Sequence, residues 1–414
     1  MEKSVIKDLL LKQNEIIKDI SIPRTLFNEI KEDNPFIVVI SGVRRCGKST
    51  LLNQIRTEDC YYVNFDDERL IDFTVKDFQK MYELLIELFG EKEIFLFDEI
   101  QNIEAWERFV RRLHDNKKKV YVTGSNASML SKELGTHLTG RHLAYELYPF
   151  SFKEFLIFKD YRLSSLDKLN SIDKSNIKKF FNEYLKEGGF PEYLQTRKKQ
   201  YLQTVYSNIL YRDIITRYNL TSEKPIKETV YFAASNIGKE LSFNTIKNIT
   251  GLTSATTIKE YFEYLENSYL VFLIPKYDPS LKKQAYASKK AYFVDNGMAN
   301  EIGFRVSEDE GRLLENVVFL ELKRFGKDIF FHRNKKECDF LIREGLKIKQ
   351  AIQVTCYLND KNKEREIDGL MEALDKYKLK EGLILTLDEE KEINKNNKKI
   401  IIMPVWKWLL EARV

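Results

Sequence analysis

The chain is poor in nearly everything that marks a secreted, membrane-spanning or metal-built protein. Its 414 residues include four cysteines and four histidines. Cys46, Cys60, Cys338 and Cys356 form no Cys-x-x-Cys pair. Neither a disulfide framework nor a zinc framework is expected, and separated thiols suit a reducing cytoplasm. A membrane span needs about 20 consecutive apolar residues, and apolar runs here such as Phe36–Ile40 and Tyr269–Pro275 are far shorter. The opening Met1-Glu2-Lys3, leading to Leu9-Leu10-Leu11-Lys12, lacks a cleavable-signal pattern. Eight prolines and 17 glycines exclude collagen-like and low-complexity chains. Excess charge is also scarce. Against 68 Lys and Arg stand 63 Asp and Glu, for a net charge of +5. That argues against a general coat for nucleic acid and confines any such contact to local basic patches.

What is present is core material. Apolar residues make up 43% of the chain and charged residues 32%, which excludes wholesale disorder. At about 150 residues per domain, the length predicts roughly three domains. The first ~30 residues read as helix, with Leu9, Leu10, Ile16, Ile17 and Ile20 at helical spacing. Phe36–Ile40 reads as a strand buried on both faces. Further strands are expected at Tyr61–Phe65, Ile94–Phe97, Val120–Thr123 and Leu143–Leu147, with helices at Lys48–Arg56, Val75–Phe89 and Trp106–Asn116 between them. That alternation predicts a parallel α/β sheet. Beyond Pro149 the chain turns charged and helical, broken at Gly188-Gly189-Phe190-Pro191. From Ala291 onward it returns to mixed α/β, with Asp388–Lys399 expected as an exposed loop. The expected domains are 1–148, a helical connector 149–225, a winged-helix-like region 226–290, and 291–414.

Gly42-Val43-Arg44-Arg45-Cys46-Gly47-Lys48-Ser49 matches G-x-x-x-x-G-K-[ST] in full. It follows a predicted buried strand and opens a predicted helix, the context that gives the motif its meaning. Glycines let the backbone approach phosphate oxygens, and the loop N–H groups and helix end attract the anion. Residues Gly42 to Thr50 are therefore the expected ATP cradle. Lys48 is expected on the β- and γ-phosphates, and the Ser49 hydroxyl on Mg²⁺. Ile94-Phe95-Leu96-Phe97 ends in Asp98-Glu99, a buried strand whose tip meets the ligand crevice. Asp98 is expected to hold Mg²⁺ and Glu99 to act as general base. Ser125 or Asn126, after the next strand, is a candidate sensor of the γ-phosphate. Arg141 is a candidate for stabilising transition-state charge, in its own site or a neighbour's. Arg44 and Arg45 are candidates for phosphate or an adjoining subunit.

These segments resemble the bacterial and archaeal AAA-type ATP-binding proteins that carry a C-terminal domain of unknown function. The likeness runs through Ser41–Thr50, Val63-Asn64-Phe65-Asp66-Asp67, Phe97-Asp98-Glu99-Ile100-Gln101, Thr123-Gly124-Ser125, Gly140-Arg141 and Pro149-Phe150-Ser151-Phe152. It continues through Gly188–Glu192, Tyr211-Arg212-Asp213-Ile214 and Asp295-Asn296-Gly297 to Pro404–Leu409. The resemblance implies ATP binding and hydrolysis at Lys48, Ser49, Asp98 and Glu99, and leaves the cellular role open.

Leu241–Leu265 has helix-turn-helix grammar, with Ser242 as a cap and Gly251 in the turn. Thr256, Thr257, Lys259 and Glu260 form its polar face, and Lys276, Lys282, Lys283, Lys289 and Lys290 are candidate phosphate contacts. A packing or protein-interaction role is the alternative. The last domain is similar to the restriction-endonuclease-like fold. Glu315 and Asp339 match carboxylate positions of that fold, but Gln353 stands for its Glu and Thr355 for its Lys, so a degenerate nuclease is expected. Mg²⁺-dependent ATP hydrolysis driving or gating a conformational change on nucleic acid is the leading reading. A nucleotide-switched protein-interaction module and an ATP-coupled nuclease are the alternatives, with a homo-oligomer open.

Overall fold

The computed structural model describes residues 1–15, 21–31, 34–127, 138–162, 169–303 and 309–411. They fall into two compact units: Met1–Tyr148 with the short segment Asn267–Tyr269, and Pro149–Glu266 with Leu270–Val414. The expected helical positions Ile16, Ile17 and Ile20 lie outside the described residues.

The first unit opens with α1 (Lys3–Gln13) and α2 (Leu26–Ile30). Five strands follow: β1 (Ile37–Ser41), β2 (Cys60–Asn64), β3 (Ile94–Asp98), β4 (Lys119–Gly124) and β5 (His142–Glu146). They pair in parallel in the order β2-β3-β4-β1-β5. Helices α3 (Lys48–Ile55), α4 (Phe78–Phe89) and α5 (Trp106–Asp115) lie between strands in the chain. All five β1 residues are buried, as a strand covered by helices on both faces requires. An aromatic core fills the unit: Phe65, Phe73, Phe78, Phe95, Phe97 and Phe109 touch in a chain of stacked, tilted and edge contacts. With β4 between β1 and β3, the loops after all three strands open at the same end of the sheet.

The second unit begins with α6 (Phe152–Phe158), α7 (Ser171–Glu187), α8 (Pro191–Thr196) and α9 (Lys199–Asn208). The buried Asp295 carboxylate accepts a hydrogen bond from the Gly189 N–H, 2.6 Å away, and from the Met298 N–H at 2.9 Å. That explains the helix break at Gly188-Gly189. Next come α10 (Lys224–Ser235), β6 (Glu240–Leu241), α11 (Phe243–Thr250), α12 (Ala255–Asn267), β7 (Val271–Pro275), the short α13 (Leu281–Tyr286) and β8 (Lys289–Phe293). The three strands form an antiparallel sheet in the order β6-β8-β7.

A six-stranded mixed sheet follows α14 (Asn296–Ile302) and α15 (Glu310–Arg324). It is built from β9 (Asp328–Arg333), β10 (Glu337–Glu344), β11 (Lys347–Val354), β12 (Glu381–Thr386), β13 (Lys391–Lys395) and β14 (Lys398–Pro404), with α16 (Lys363–Lys376) packed on it and α17 (Val405–Glu411) closing the chain. The order is β13-β14-β12-β11-β10-β9. One expectation fails here: Asp388–Lys399 is not a loop. Residues Lys391–Lys395 pair antiparallel with β14. The two-residue turn Asn396-Asn397 has both φ angles positive, the geometry that matches hairpin twist. Ile393 packs against the core while its charged neighbours face outward.

Candidate functional site

The phosphate loop leaves the buried β1 at Ser41 and re-enters helix at Lys48. Two glycines make the path possible. Gly47 has φ of 104°, a left-handed conformation that glycine adopts freely. At Gly42 (φ 155°), an added Cβ would lie 2.0 Å from the Leu147 carbonyl oxygen. Gly42→Ala must therefore move backbone. It is expected to weaken ATP binding at least tenfold and destabilise the unit by about 1–3 kcal/mol. A fluorescent-nucleotide titration with a thermal melt checks this, and wild-type affinity would refute it.

Lys48 is buried. Its Nζ donates to Gly42 O at 3.1 Å and Val43 O at 3.3 Å, and stands 3.4 Å from Glu99 Oε1. Burial works against the ammonium, but Glu99, Cys46 and Asp98 outweigh it and hold its pKa above the ordinary lysine value. Glu99 is the mirror case. Burial pushes its carboxyl up, yet Lys48, Gln101 and Arg44 bring it below the usual glutamate value. Asp98 beside it goes the other way. Burial and the Glu99 charge raise it, against hydrogen bonds from Ser49 and Thr123. The Thr123 hydroxyl donates to Asp98 Oδ1 at 2.5 Å and accepts the Glu99 N–H at 2.9 Å, while Tyr62 OH donates to Asp98 Oδ2 at 3.1 Å. One threonine on β4 thus fixes the Asp98 carboxylate and the Glu99 backbone at the tip of β3.

Ser125 and Asn126 follow β4, between the ends of β1 and β3, and both are buried. Ser125 Oγ is buried without a hydrogen-bond partner, which costs about 1–3 kcal/mol unless a ligand supplies one. Together with the Lys48 ammonium held against loop carbonyls, this donor set fits a nucleotide phosphate. Ser49 is exposed, Arg44 half-buried and Arg45 exposed at φ 66°.

Arg141 is displaced from this end. Its backbone carbonyl accepts from Ile37 N, at the amino end of β1, and its Nε faces Asp115 Oδ1 at 3.3 Å. Four strand residues, about 13 Å, separate that level from Ser41. Arg141 thus lies away from the phosphate loop of its own chain, paired with Asp115. A residue not singled out from the sequence is Arg24. Buried, it donates through Nη1 to Cys46 O and through Nη2 to Tyr148 O, both at 2.6 Å, and so braces the loop from behind. Ile22-Pro23-Arg24 gave no signal, because a loop brace has no motif.

In the second unit Glu315, Asp339, Gln353 and Thr355 line one cavity. A cavity of about 820 Å³ is lined by Glu315, Glu337, Asp339, Gln353, Thr355 and Glu366, with Arg333 and Arg365 among its cations. Lys290, assigned from sequence to an exposed basic patch, is instead 1% exposed. Its Nζ lies 2.6 Å from Glu337, 3.0 Å from Asp339 and 3.2 Å from Glu315. The reason is its register on β8. Lys290 and Tyr292 share one face of the strand, and Tyr292 OH donates to the same Glu315 oxygen at 2.6 Å. Burial raises the Glu315 carboxyl to about 7 against the pull of Lys290. Gln353 accepts from the Asp339 N–H at 3.2 Å and donates to Glu366 at 2.6 Å. Among the described residues no group of three or more His, Cys, Asp or Glu is arranged to hold a metal ion. None of their helices is long and apolar enough to cross a membrane.

Residues 34–156 match the AAA domain. Residues 178–309 and 310–408 match two domains of unknown function, DUF8612 and DUF4143. An uncharacterized protein of Methanocaldococcus jannaschii, MJ1544, is 36% identical across 99% of this chain and 96% of its own length. The chain belongs to one family with that relative. An uncharacterized Haemophilus influenzae protein is 33% identical over 84% of this AAA-domain chain and 88% of its own. Solved structures similar to it include Cdc6p of Pyrobaculum aerophilum (11% identity, TM-score 0.25, 77% of this chain and 98% of that one) and PCH-2 of C. elegans (13%, TM-score 0.26, 45% and 57%). The parallel sheet of the first unit is that of a P-loop AAA fold, and the mixed sheet belongs to the separate unit after it.

Proposed function

We propose that the protein hydrolyses ATP in the first unit and uses the cycle to drive or gate a conformational change on nucleic acid. The observation that carries the hydrolysis is the Glu99 carboxylate 3.4 Å from Lys48 Nζ at the tip of β3, its carboxyl held below the usual glutamate value, with Asp98 one residue away and Ser49 within hydrogen-bond reach of it. Lys48 binds the β- and γ-phosphates. Ser49 and Asp98 hold Mg²⁺, which when bound neutralises charge on the phosphates. Glu99 takes the proton of the attacking water. Ser125 and Asn126 are placed to sense the γ-phosphate. Arg141 serves a neighbouring copy, which makes the working form a homo-oligomer.

The nucleic-acid reading is supported by the second unit. Helices α10, α11 and α12 with the sheet β6-β8-β7 follow the order of a winged helix. Thr256, Lys259 and Glu260 on α12 are exposed, as are Lys282 and Lys283 between β7 and β8. The ATPase rate with and without single- and double-stranded DNA at two salt concentrations tests it. Stimulation of at least several-fold that fades with salt is expected; a rate indifferent to DNA at low salt favours a nucleotide-switched protein-interaction module. The restriction-endonuclease-like reading of 291–414 is weakened as a cleaving site. Gln353 is neutral and already engaged with Glu366, and the Lys290 ammonium neutralises the carboxylates that a metal ion needs.

A further inference from the structure

Gln101 sits against the Glu99 carboxylate, and the hydrolysis scheme leaves it unused. The chain leaves β3 through Glu99 in a left-handed conformation, φ 50° and ψ 40°. Such strain in a non-glycine residue is held only where the surroundings enforce it. Here a single 3₁₀ turn, Ile100–Asn102, enforces it. The turn is closed by Asn102 N–H to Glu99 O at 3.1 Å and pinned by the Asn102 side chain to Phe65 O at 3.2 Å. The result folds Gln101 back over the carboxylate two residues before it: Gln101 Nε2 donates to Glu99 Oε2 at 2.5 Å. Gln101 is buried at 6% exposure, and its Oε1, on the same carboxamide, is buried without any partner. A buried acceptor left unmade is destabilising, and fixed structure tolerates it where a ligand completes it. The other face of Glu99 is taken by Lys48.

We propose that Gln101 is a positioning residue for the attacking water. Nε2 fixes the Glu99 carboxylate, and the open Oε1 accepts one hydrogen of the water whose other proton Glu99 removes. The water oxygen then bonds to the γ-phosphorus. The bond to the β–γ bridging oxygen breaks with its electron pair on ADP, and inorganic phosphate leaves. The inference rests on the ATPase reading of the same site.

The test compares wild type, Gln101→Met and Gln101→Glu in the full chain, reading kcat, KM and thermal melting. Gln101→Met keeps the side-chain volume and removes the orphaned acceptor, so its melting temperature is expected to hold or rise. Its kcat is expected to fall roughly 10- to 100-fold, with KM within about twofold. Gln101→Glu places a second carboxylate beside the base and is expected to lose more. Wild-type kcat in both variants overturns the proposal, as does a loss confined to KM or to stability. A wild-type protein that binds ATP without turning it over overturns the ATPase reading itself, and the proposal with it.

Discussion

Lys48→Ala is expected to lower affinity for ATP about 100-fold or more, a difference of about 3 kcal/mol. The ammonium is enclosed, donating to Gly42 O and Val43 O and paired with Glu99. An entering phosphate offers it anionic oxygens in place of neutral carbonyls, and such charge-assisted bonds are roughly twice as strong as neutral ones. Alanine removes that exchange. It also leaves the half-buried Glu99 carboxylate with its main counter-charge gone, so the carboxyl rises from its depressed value. Burial dominates once the opposing ammonium is lost. The variant should therefore fail twice, in binding by fluorescent-nucleotide titration and in turnover. Unaltered binding would remove the phosphate loop from the reading altogether. Loss of turnover alone would move Lys48 from the ground state to the transition state.

The contrast between the two units explains what the sequence disclosed. In the first unit, the chemistry depends on residues contiguous in the chain. Gly42 to Ser49 must lie together because one loop wraps one phosphate group, and Asp98-Glu99 because one strand tip carries both carboxylates. The surrounding strands follow because a doubly covered sheet needs uninterrupted apolar runs. Arg24 and Tyr62 escaped notice because they act across the fold, from 22 and 36 residues away. The second unit reverses the proportions. Lys290 reads as one more surface lysine in a basic stretch until β8 turns it inward. Its partners Glu315, Glu337 and Asp339 come from α15 and β10. A lysine enclosed by three carboxylates is a product of strand register, which a one-residue slip would reverse, and no local spacing encodes it. The strand at Lys391–Lys395 escaped for a related reason. An edge strand with both faces largely exposed carries no apolar alternation, and only the Asn396-Asn397 turn betrays it.

Glu99→Gln should separate binding from chemistry. Glutamine keeps the size and one acceptor for the Gln101 carboxamide, and it leaves Lys48 its loop carbonyls, so ATP affinity is expected to remain within a few-fold of wild type. The amide cannot take a proton, and a lost general base lowers turnover about 100- to 1,000-fold, or about 3–4 kcal/mol of barrier. Single-turnover measurements on the ATP-loaded protein would read the chemical step directly. The pH behaviour of the wild type supplies the sign. Because the Glu99 carboxyl is held below the ordinary glutamate value, the base is already ionised at neutral pH. Its contribution to kcat is therefore level above that region and declines only as pH falls through the depressed pKa. The variant has no such group to titrate, so its residual rate should lack that acid limb. A Glu99→Gln protein with wild-type turnover would require another base. Asp98 is the nearest carboxylate, and its charge is committed to Thr123 and Tyr62 while burial raises its pKa. In the proposed scheme the two adjacent carboxylates on one strand tip divide the work, Glu99 as base and Asp98 as metal ligand.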